Sequence, residues 1–347
     1  MTRDELTVAL TMGDPAGVGP EVIFKALADA SVRRLARFAV IGERAVLEAA
    51  RRRFAPELAL RARPRAAHEV RLIVPPGGGS RLRAQPGVVD AACGAAAMRA
   101  IEAAIALGAA GEVQAVVTAP IHKVAMERAG VKLIGHTEIF AERTRTSSYC
   151  LMLAHRHLFV THVTCHQPLA EAVASLTTDR VMTAIRLTYE TLVKLGVREP
   201  RIGVSGLNPH AGEGGLLGHE DARVIHPAVM MARLKGVLAS GPHPPDVLFP
   251  RLVSRDFDAL VVQYHDQGHI PFKLLTFRHR RGAKGMHAVS GVNVTLGLPF
   301  VRTSVDHGVA FEIAGQGVAD PGSMSEAIRL ACRLARSGQN TRGFKGS

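Results

Sequence analysis

The sequence contains no tryptophan and only three tyrosines, and aromatic residues make up 4% of its 347 positions. Proteins that hold single-stranded nucleic acid stack bases on such rings, so their scarcity argues against that role, although Lys plus Arg exceed Asp plus Glu by 13. Cysteine is scarce too. The four present, Cys93, Cys150, Cys165 and Cys332, lie far apart and make no Cys-x-x-Cys pair, which excludes a disulfide framework and a zinc knuckle and suits reduced thiols. No uncharged apolar run approaches the roughly 18 residues of a membrane span, so no membrane partner is expected. Met1-Thr2-Arg3-Asp4-Glu5 does not lead a basic segment into an apolar one, and the expected location is the cytoplasm.

What is present is ordinary for a globular enzyme: 47% apolar and 21% charged residues, and a length that at roughly 150 residues per domain suggests two domains. The positive charge is concentrated. Between Ser31 and Gln85 stand 13 Arg, no Lys or Asp, and four Glu, a local net of 13 − 4 = +9 out of +13. With only Phe38 and Phe54 as aromatics and no reading module, this stretch reads as a solvated face of helices such as Arg44 to Phe54, with no bearing on chemistry and no nucleic-acid partner.

Along the chain, strand and helix patterns alternate. Leu6 to Met12 is an apolar strand entering the turn Gly13-Asp14-Pro15-Ala16-Gly17-Val18-Gly19, and Pro20 and Glu21 open a helix through Leu27. Arg37 to Ile41 and Val113 to Thr118 read as buried strands, with an alanine-rich helix, Asp90 to Leu107, between them. Leu158 to His166, Arg201 to Ser205 and Ala259 to Tyr264 read as further strands, and Thr178 caps a helix closed by Gly196. Pro75 to Ser80 reads as a surface loop and Ser337 to Ser347 as a frayed tail. The alternation predicts an α/β protein with a largely parallel sheet.

Three of the 16 histidines follow such strands: His166 in Thr164-Cys165-His166-Gln167, His210 in Asn208-Pro209-His210-Ala211-Gly212, and His265 in Tyr264-His265-Asp266-Gln267-Gly268. Open α/β sheets build sites at the C-terminal ends of their strands, and three imidazoles with one vacant position make a catalytic rather than a structural metal site. Spacing alone does not decide this, because so many histidines place some at strand ends by chance. His155, His157, His162 and His269 read as core or surface residues. The helical His-Glu-x-x-His pattern is absent, and Gly268 at a strand end argues against a helix from His265 to His269. His136 and Thr137, Lys273, Asn293 and Arg302 are donors in apolar surroundings, where a phosphate or carboxylate would pair with them; for each singly, a surface ion pair is the plain alternative.

The segments Thr11 to Glu21, Gly135-His136-Thr137-Glu138, Gly206 to Gly215, Tyr264 to Gly268 and Gly291 to Gly308 together resemble the 4-hydroxythreonine-4-phosphate dehydrogenase family of vitamin B6 biosynthesis, over about Leu6 to Arg333. The resemblance implies an isocitrate/isopropylmalate dehydrogenase-like fold with two α/β domains flanking a central cleft. A discontinuous nucleotide-side domain (1–128 plus 296–347) and a central domain (129–295) carrying the dimer interface are expected. It also implies a divalent metal, zinc before magnesium or cobalt, on His166, His210 and His265, the last from the neighbouring subunit of a homodimer. Substrate would be held by His136, Thr137, Lys273, Asn293 and Arg302, and NAD or NADP by Gly291, Asp306, His307 and Gly308. Lys273 and Asp246 are candidates for the general base, Asp246 being equally readable as a helix cap.

The implied reaction is oxidation of 4-phosphohydroxy-L-threonine at C3 followed by decarboxylation. His269-Ile270-Pro271-Phe272-Lys273 and a long insert, Arg278 to Ser290, look more like the branch that oxidises 4-phospho-D-threonate or 4-phospho-D-erythronate. Cys165 and Gln167 also depart from the usual neighbours of His166. An aromatic dihydrodiol dehydrogenase and a non-redox three-histidine hydrolase rank below both.

Overall fold

The structure is a computed structural model that describes residues 6–66, 68–78, 82–132, 135–278, 287–289 and 291–337. Fourteen strands are described: β1 (Thr7–Thr11), β2 (Arg37–Ile41), β3 (Ala59–Arg61), β4 (Glu69–Ile73), β5 (Ala115–Thr118), β6 (Cys150–His155), β7 (Leu158–His162), β8 (Arg201–Ser205), β9 (Leu238–His243), β10 (Ala259–Val262), β11 (Phe277–Arg278), β12 (His287–Val289), β13 (Val292–Leu296) and β14 (Val301–Val305). The chain divides into two compact units. One comprises the described residues of Met1–Thr146, Phe277–Val292 and Leu298–Gln339; the other is built from Ser147–Thr276 and Asn293–Gly297. The sequence reading set its boundaries at 128/129 and 295/296, whereas residues 135–146, with the helix His136–Arg143, pack in the first unit.

In the first unit the strand order is β3-β4-β2-β1-β5-β14, with every neighbour parallel. Parallel strands covered on both faces need near-continuous apolar sequence, and Val8, Ala9 and Leu10 of β1 are fully buried. The chain leaves β1 toward β2 on one side and reaches β5 on the other, so the turn after β1 sits where the strand order reverses, the usual position of a ligand loop. Gly13 is required there. Its φ is +70°, and a Cβ would stand 2.3 Å from the Pro120 carbonyl oxygen.

The helix Ala91–Ala109 packs on this sheet through Ala97, Ala100, Ile101, Ala104 and Ile105, beside Phe140 and Phe300. Asp90 caps it by accepting from Ala92 N at 2.6 Å. By length and composition it is the one described helix apolar enough to cross a membrane. It carries Arg99 and Glu102, and Arg99 Nη2 pairs with the buried Glu43 at 2.8 Å, as a core helix with one wet side does.

In the second unit the order is β13-β6-β7-β10-β8-β9. β6 and β7 form an antiparallel hairpin, while β7, β10, β8 and β9 run parallel, so the chain leaves β7, β10 and β8 at the same edge. Its core joins Leu153 and Val160 to Leu248, Phe249, Leu260 and Phe272. Each such side chain contributes about 1.5–3 kcal/mol on burial.

Several sequence expectations shift. β7 ends at His162 rather than His166: Val163 N and Thr164 N still donate to Val262 O and Gln263 O, and the chain then turns sharply, with Gln167 N bonded to Cys165 O at 2.8 Å. Thr177, not Thr178, caps the helix Thr178–Lys194, accepting from Arg180 N at 3.3 Å. The segment from His265 is a helix, His265–Thr276, with Gly268 and Pro271 inside it. Gly268 does not break it. A Cβ at Gly268 would lie 2.2 Å from His162 Nε2 and 2.9 Å from Val262 Cγ2, so glycine lets the helix approach the sheet.

Gly268→Ala is therefore expected to destabilise the protein by about 1–3 kcal/mol as an overpacked core, outweighing the modest helical preference for alanine. Thermal unfolding checks this, and an unchanged or higher Tm would contradict the packing described. The ends of the insert pair as an antiparallel ribbon, Phe277↔Val289 and Arg278↔His287. Residues 279–286 and 290 of the insert, Gly79 and Ser80 of the expected loop, and residues 338–347 of the expected tail lie outside the described residues.

Candidate active site

Each unit carries its own set of chemically equipped side chains. In the first, Gly135 starts the helix His136–Arg143 without a side-chain cap, so its first-turn N–H groups and helix dipole favour an anion. Arg302 rises from β14 beside it. Its side chain is among the largest fully buried ones, Nη2 donates to Thr118 Oγ1 at 2.7 Å, and the guanidinium lies 5.5 Å from the Phe140 ring centroid. Burial pushes its pKa down to about 9, opposed by the charge of Glu138, so it remains a cation at neutral pH.

His136 shares this setting. Burial first, and the Arg302 charge second, hold its pKa well below the usual histidine range, and its Nε2 is shielded from solvent with no hydrogen bond among the described residues. Thr137 is buried at the second helical position. A neutral imidazole, a hydroxyl, helix N–H groups and a buried guanidinium form a set matched to a phosphate.

The expected nucleotide residues are also in this unit. Ser323 Oγ donates to Gly291 O at 2.7 Å and accepts from Asp306 N at 3.1 Å, joining two of them. A Cβ on Gly291 would lie 2.6 Å from Asp306 Oδ2. His307 Nδ1 bonds Gly308 O at 2.9 Å, which leaves Nε2 as the acceptor of a ring that burial keeps neutral. That Nε2 is buried and has no hydrogen-bond partner among the described residues, so a hydroxyl or amide donor from a ligand suits it. On this observation the residues present fit a dinucleotide.

The rest of that loop is clasped. Val18 N donates to Val309 O at 3.0 Å, Lys25 Nζ to Gly317 O and Ala319 O, and Phe311 stacks on His122 at 4.7 Å. Arg53 Nη1 donates to Gly315 O at 2.8 Å. This corrects one expectation: at least this arginine of the basic stretch braces the loop expected beside the nucleotide. Its partners are backbone carbonyls some 260 residues away, for which local sequence carries no signal.

In the second unit three histidine-bearing loops leave the same sheet edge. Their bases are tied together: Thr164 Oγ1 donates to Gln263 O, Gln263 Nε2 to Ser205 O, and Gln267 Nε2 to Gly206 O, at 2.6–2.8 Å. Among the described residues, ligand atoms of Cys165, His166 and His265 all lie within 4.8 Å of one another. The His166 and His265 rings are 5.8 Å apart.

The helix starting at His265 places His269 one turn on, stacked on His265 at 3.6 Å, with His162 at 4.6 Å from His269. His162 and His269 are buried, as a core reading expects, yet they pack directly against the site residue. Burial, and next the neighbouring His265, push the His269 pKa down to about 3. Lys273 follows a further turn along the same helix face.

His210 stands outside this group. It sits in a left-handed turn in which His210, Ala211, Gly212, Glu213 and Gly214 all have φ between +44° and +82°, a conformation that costs non-glycine residues roughly 1–2 kcal/mol each. Buried Asp221 holds the turn's base, accepting from Leu207 N, Asn208 N and Asn208 Nδ2. Such strain, held by a buried carboxylate, is typical of functional loops. His210 is exposed and its Nδ1 lies 2.9 Å from Glu213 Oε2; His265 Nδ1 lies 2.6 Å from Asp266 Oδ1. Carboxylates so placed orient ligating imidazoles and leave Nε2 for a metal, so these residues fit a divalent ion. Asp246 is exposed in the first turn of Pro245–Val253, whose N-cap is Pro244, and Asn293 lies on β13.

Residues 34–331 match the family described as pyridoxal phosphate biosynthetic protein PdxA. The chain belongs to this family. It is 42% identical to a 4-hydroxythreonine-4-phosphate dehydrogenase of Desulforapulum autotrophicum, over 96% of this chain and 97% of that one. It is also 42% identical to a D-threonate 4-phosphate dehydrogenase of Salmonella typhimurium, over 95% and 99%. The crystal structure of 4-hydroxythreonine-4-phosphate dehydrogenase from Klebsiella pneumoniae superposes with a TM-score of 0.77 at 40% identity, covering 95% of this chain and 99% of that one. The PdxA chain described here thus has the α/β fold of solved dehydrogenases.

Proposed function

We propose that the protein oxidises the C3 hydroxyl of 4-phosphohydroxy-L-threonine, using NAD or NADP and a divalent metal, and releases CO₂ to give 3-amino-2-oxopropyl phosphate in vitamin B6 biosynthesis. The observation that carries this reading is the buried Arg302 with His136, Thr137 and the helix N-terminus, a set of donors that an unphosphorylated diol has no group to meet. When bound, the ion supplies Lewis-acid polarisation of the hydroxyl and the later carbonyl, and the nicotinamide supplies the hydride acceptor.

His166, His210 and His265 would hold the ion, with His265 supplied by a second copy of the chain in a homodimer and zinc preferred for an imidazole set. Arg302, His136 and Thr137 grip the phosphate and fix the reacting carbon by its far end. Lys273 and Asn293 engage the acid end. The C3 hydroxyl proton goes to Lys273 or Asp246; Lys273 lies two turns along the helix from His265, while Asp246 belongs to a different, exposed helix start. Gly291, Asp306, His307 and Gly308 receive the nucleotide.

A second reading is specifically favoured by the insert between Phe277 and Val289 and by the D-threonate relative: 4-phospho-D-threonate or 4-phospho-D-erythronate oxidised at C3 to dihydroxyacetone phosphate and CO₂. Both readings share the phosphate. Turnover of 4-phosphohydroxy-L-threonine is expected to exceed that of unphosphorylated 4-hydroxythreonine by about 10²-fold or more in kcat/KM, the worth of two charge-assisted hydrogen bonds. Equal values would remove the phosphate from the proposal.

A further inference from the structure

Besides Arg53, four more arginines of the basic stretch meet at one cavity of the first unit. It has a volume of about 280 Å³, and Arg33, Arg37, Arg65 and Arg71 line it together with Glu69. β1, β2 and β4 begin side by side here, since Thr7 stands opposite Arg37 and Ala39 opposite Arg71. One residue back in the same register, Phe38 comes beside Val70, and both contribute apolar wall. The cavity is thus at the N-terminal edge of the sheet. The ligand turn bearing Gly13 follows Thr11, at the other end of a strand roughly 13 Å long, so a molecule in the cavity does not meet the reacting groups.

The wall that carries Arg65 is fixed. Glu69 Oε2 accepts from Arg65 N at 2.6 Å and Ala66 N at 3.1 Å, and its Oε1 lies 3.5 Å from Arg61 Nε. This carboxylate is occupied with the turn and with Arg61, and it leaves the four guanidinium charges largely uncompensated. Arg33 Nη1 donates to Leu27 O and Ala28 O at 2.7 and 2.6 Å, which holds its head in place. Its pair with Glu57, and that of Arg71 with Glu112, are both 3.5 Å long between partly exposed side chains and contribute little in water.

We propose that this cavity is a second anion site, which binds a compact, multiply charged phosphate of the size of inorganic pyrophosphate. Like charges converging on one recess repel, and an anion among them offsets that repulsion. Guanidinium forks take phosphate oxygens two at a time, and a diphosphate has enough oxygens for several forks at once. The volume lies at the small end of ligand sites, roughly 300–1,000 Å³, and has no room for a nucleic-acid strand.

Calorimetric titration of the full-length protein with inorganic pyrophosphate at about 0.1 M salt tests this. The expected dissociation constant is below about 1 mM, weakened about 10-fold or more in Arg65→Gln and further in Arg37→Gln/Arg65→Gln. Both side chains are exposed, so the fold should persist, and the ligand-free Tm checks that it does. Arg198→Gln/Arg233→Gln removes the same charge from exposed positions of the second unit and should bind pyrophosphate as the wild type does. Equal weakening there reduces the effect to general attraction by a basic chain and overturns the site. Arg302→Met, with the substrate's phosphate grip disabled, should still bind one pyrophosphate per chain; none bound places the anion at Arg302 and overturns the second site. No binding to the wild type, or citrate binding as tightly as pyrophosphate, overturns the phosphate assignment.

Discussion

Replacing Arg302 by methionine is expected to lower kcat/KM for the phosphorylated acid by about 10²–10⁴-fold, since two or so charge-assisted hydrogen bonds at about 1.5–3 kcal/mol each are lost. The loss should appear mainly as a raised KM for the acid, with KM for the nucleotide little changed, because the residues assigned to the nucleotide stand on a different loop. Methionine fills much of the arginine volume and removes a cation whose burial already costs enough to push its pKa down to about 9. The fold should survive, and a preserved Tm beside the lost affinity separates a binding role from a structural one. An unchanged KM for the acid would remove Arg302 from the phosphate site.

His166→Ala is the second large effect. The side chain is exposed, so little packing is lost, yet turnover should fall about 10³-fold or more as the Lewis acid is no longer held. Metal content per chain after dialysis should fall with it. Retained zinc and retained activity together would contradict the assignment of this residue.

The parts of the fold written in local pattern were legible before the structure. Arg37–Ile41 and Arg201–Ser205 are strands with the bounds their apolar runs suggest, and Arg44–Phe54 is a helix. The placement of His166, His210 and His265 after strands was legible for the same reason, since strand ends on a parallel sheet share an edge.

What was not legible depends on distant partners. Gly268 at a strand end read against a helix, but it is the point where the helix His265–Thr276 meets His162, a residue more than 100 positions away. Asp221 carries no motif of its own. Its role appears only when Leu207 and Asn208 turn their N–H groups toward it. Arg53 looked like one more solvated charge until the carbonyls of Gly315 and Gln316 came within its reach. Cys165 read as a departure from the usual neighbours of His166, and its approach to His265, 100 positions further on, appears only in the folded chain.

The central claim is a nicotinamide-reducing oxidation of a phosphorylated hydroxy acid. The most direct measurement is the absorbance of reduced nicotinamide when the zinc-loaded protein meets NAD or NADP and, in turn, 4-phosphohydroxy-L-threonine, 4-phospho-D-threonate and 4-phospho-D-erythronate. The account predicts reduction with at least one of them, fastest with 4-phosphohydroxy-L-threonine, and accompanied by CO₂. No reduction with any of the three, from a folded and metal-loaded protein, would contradict it.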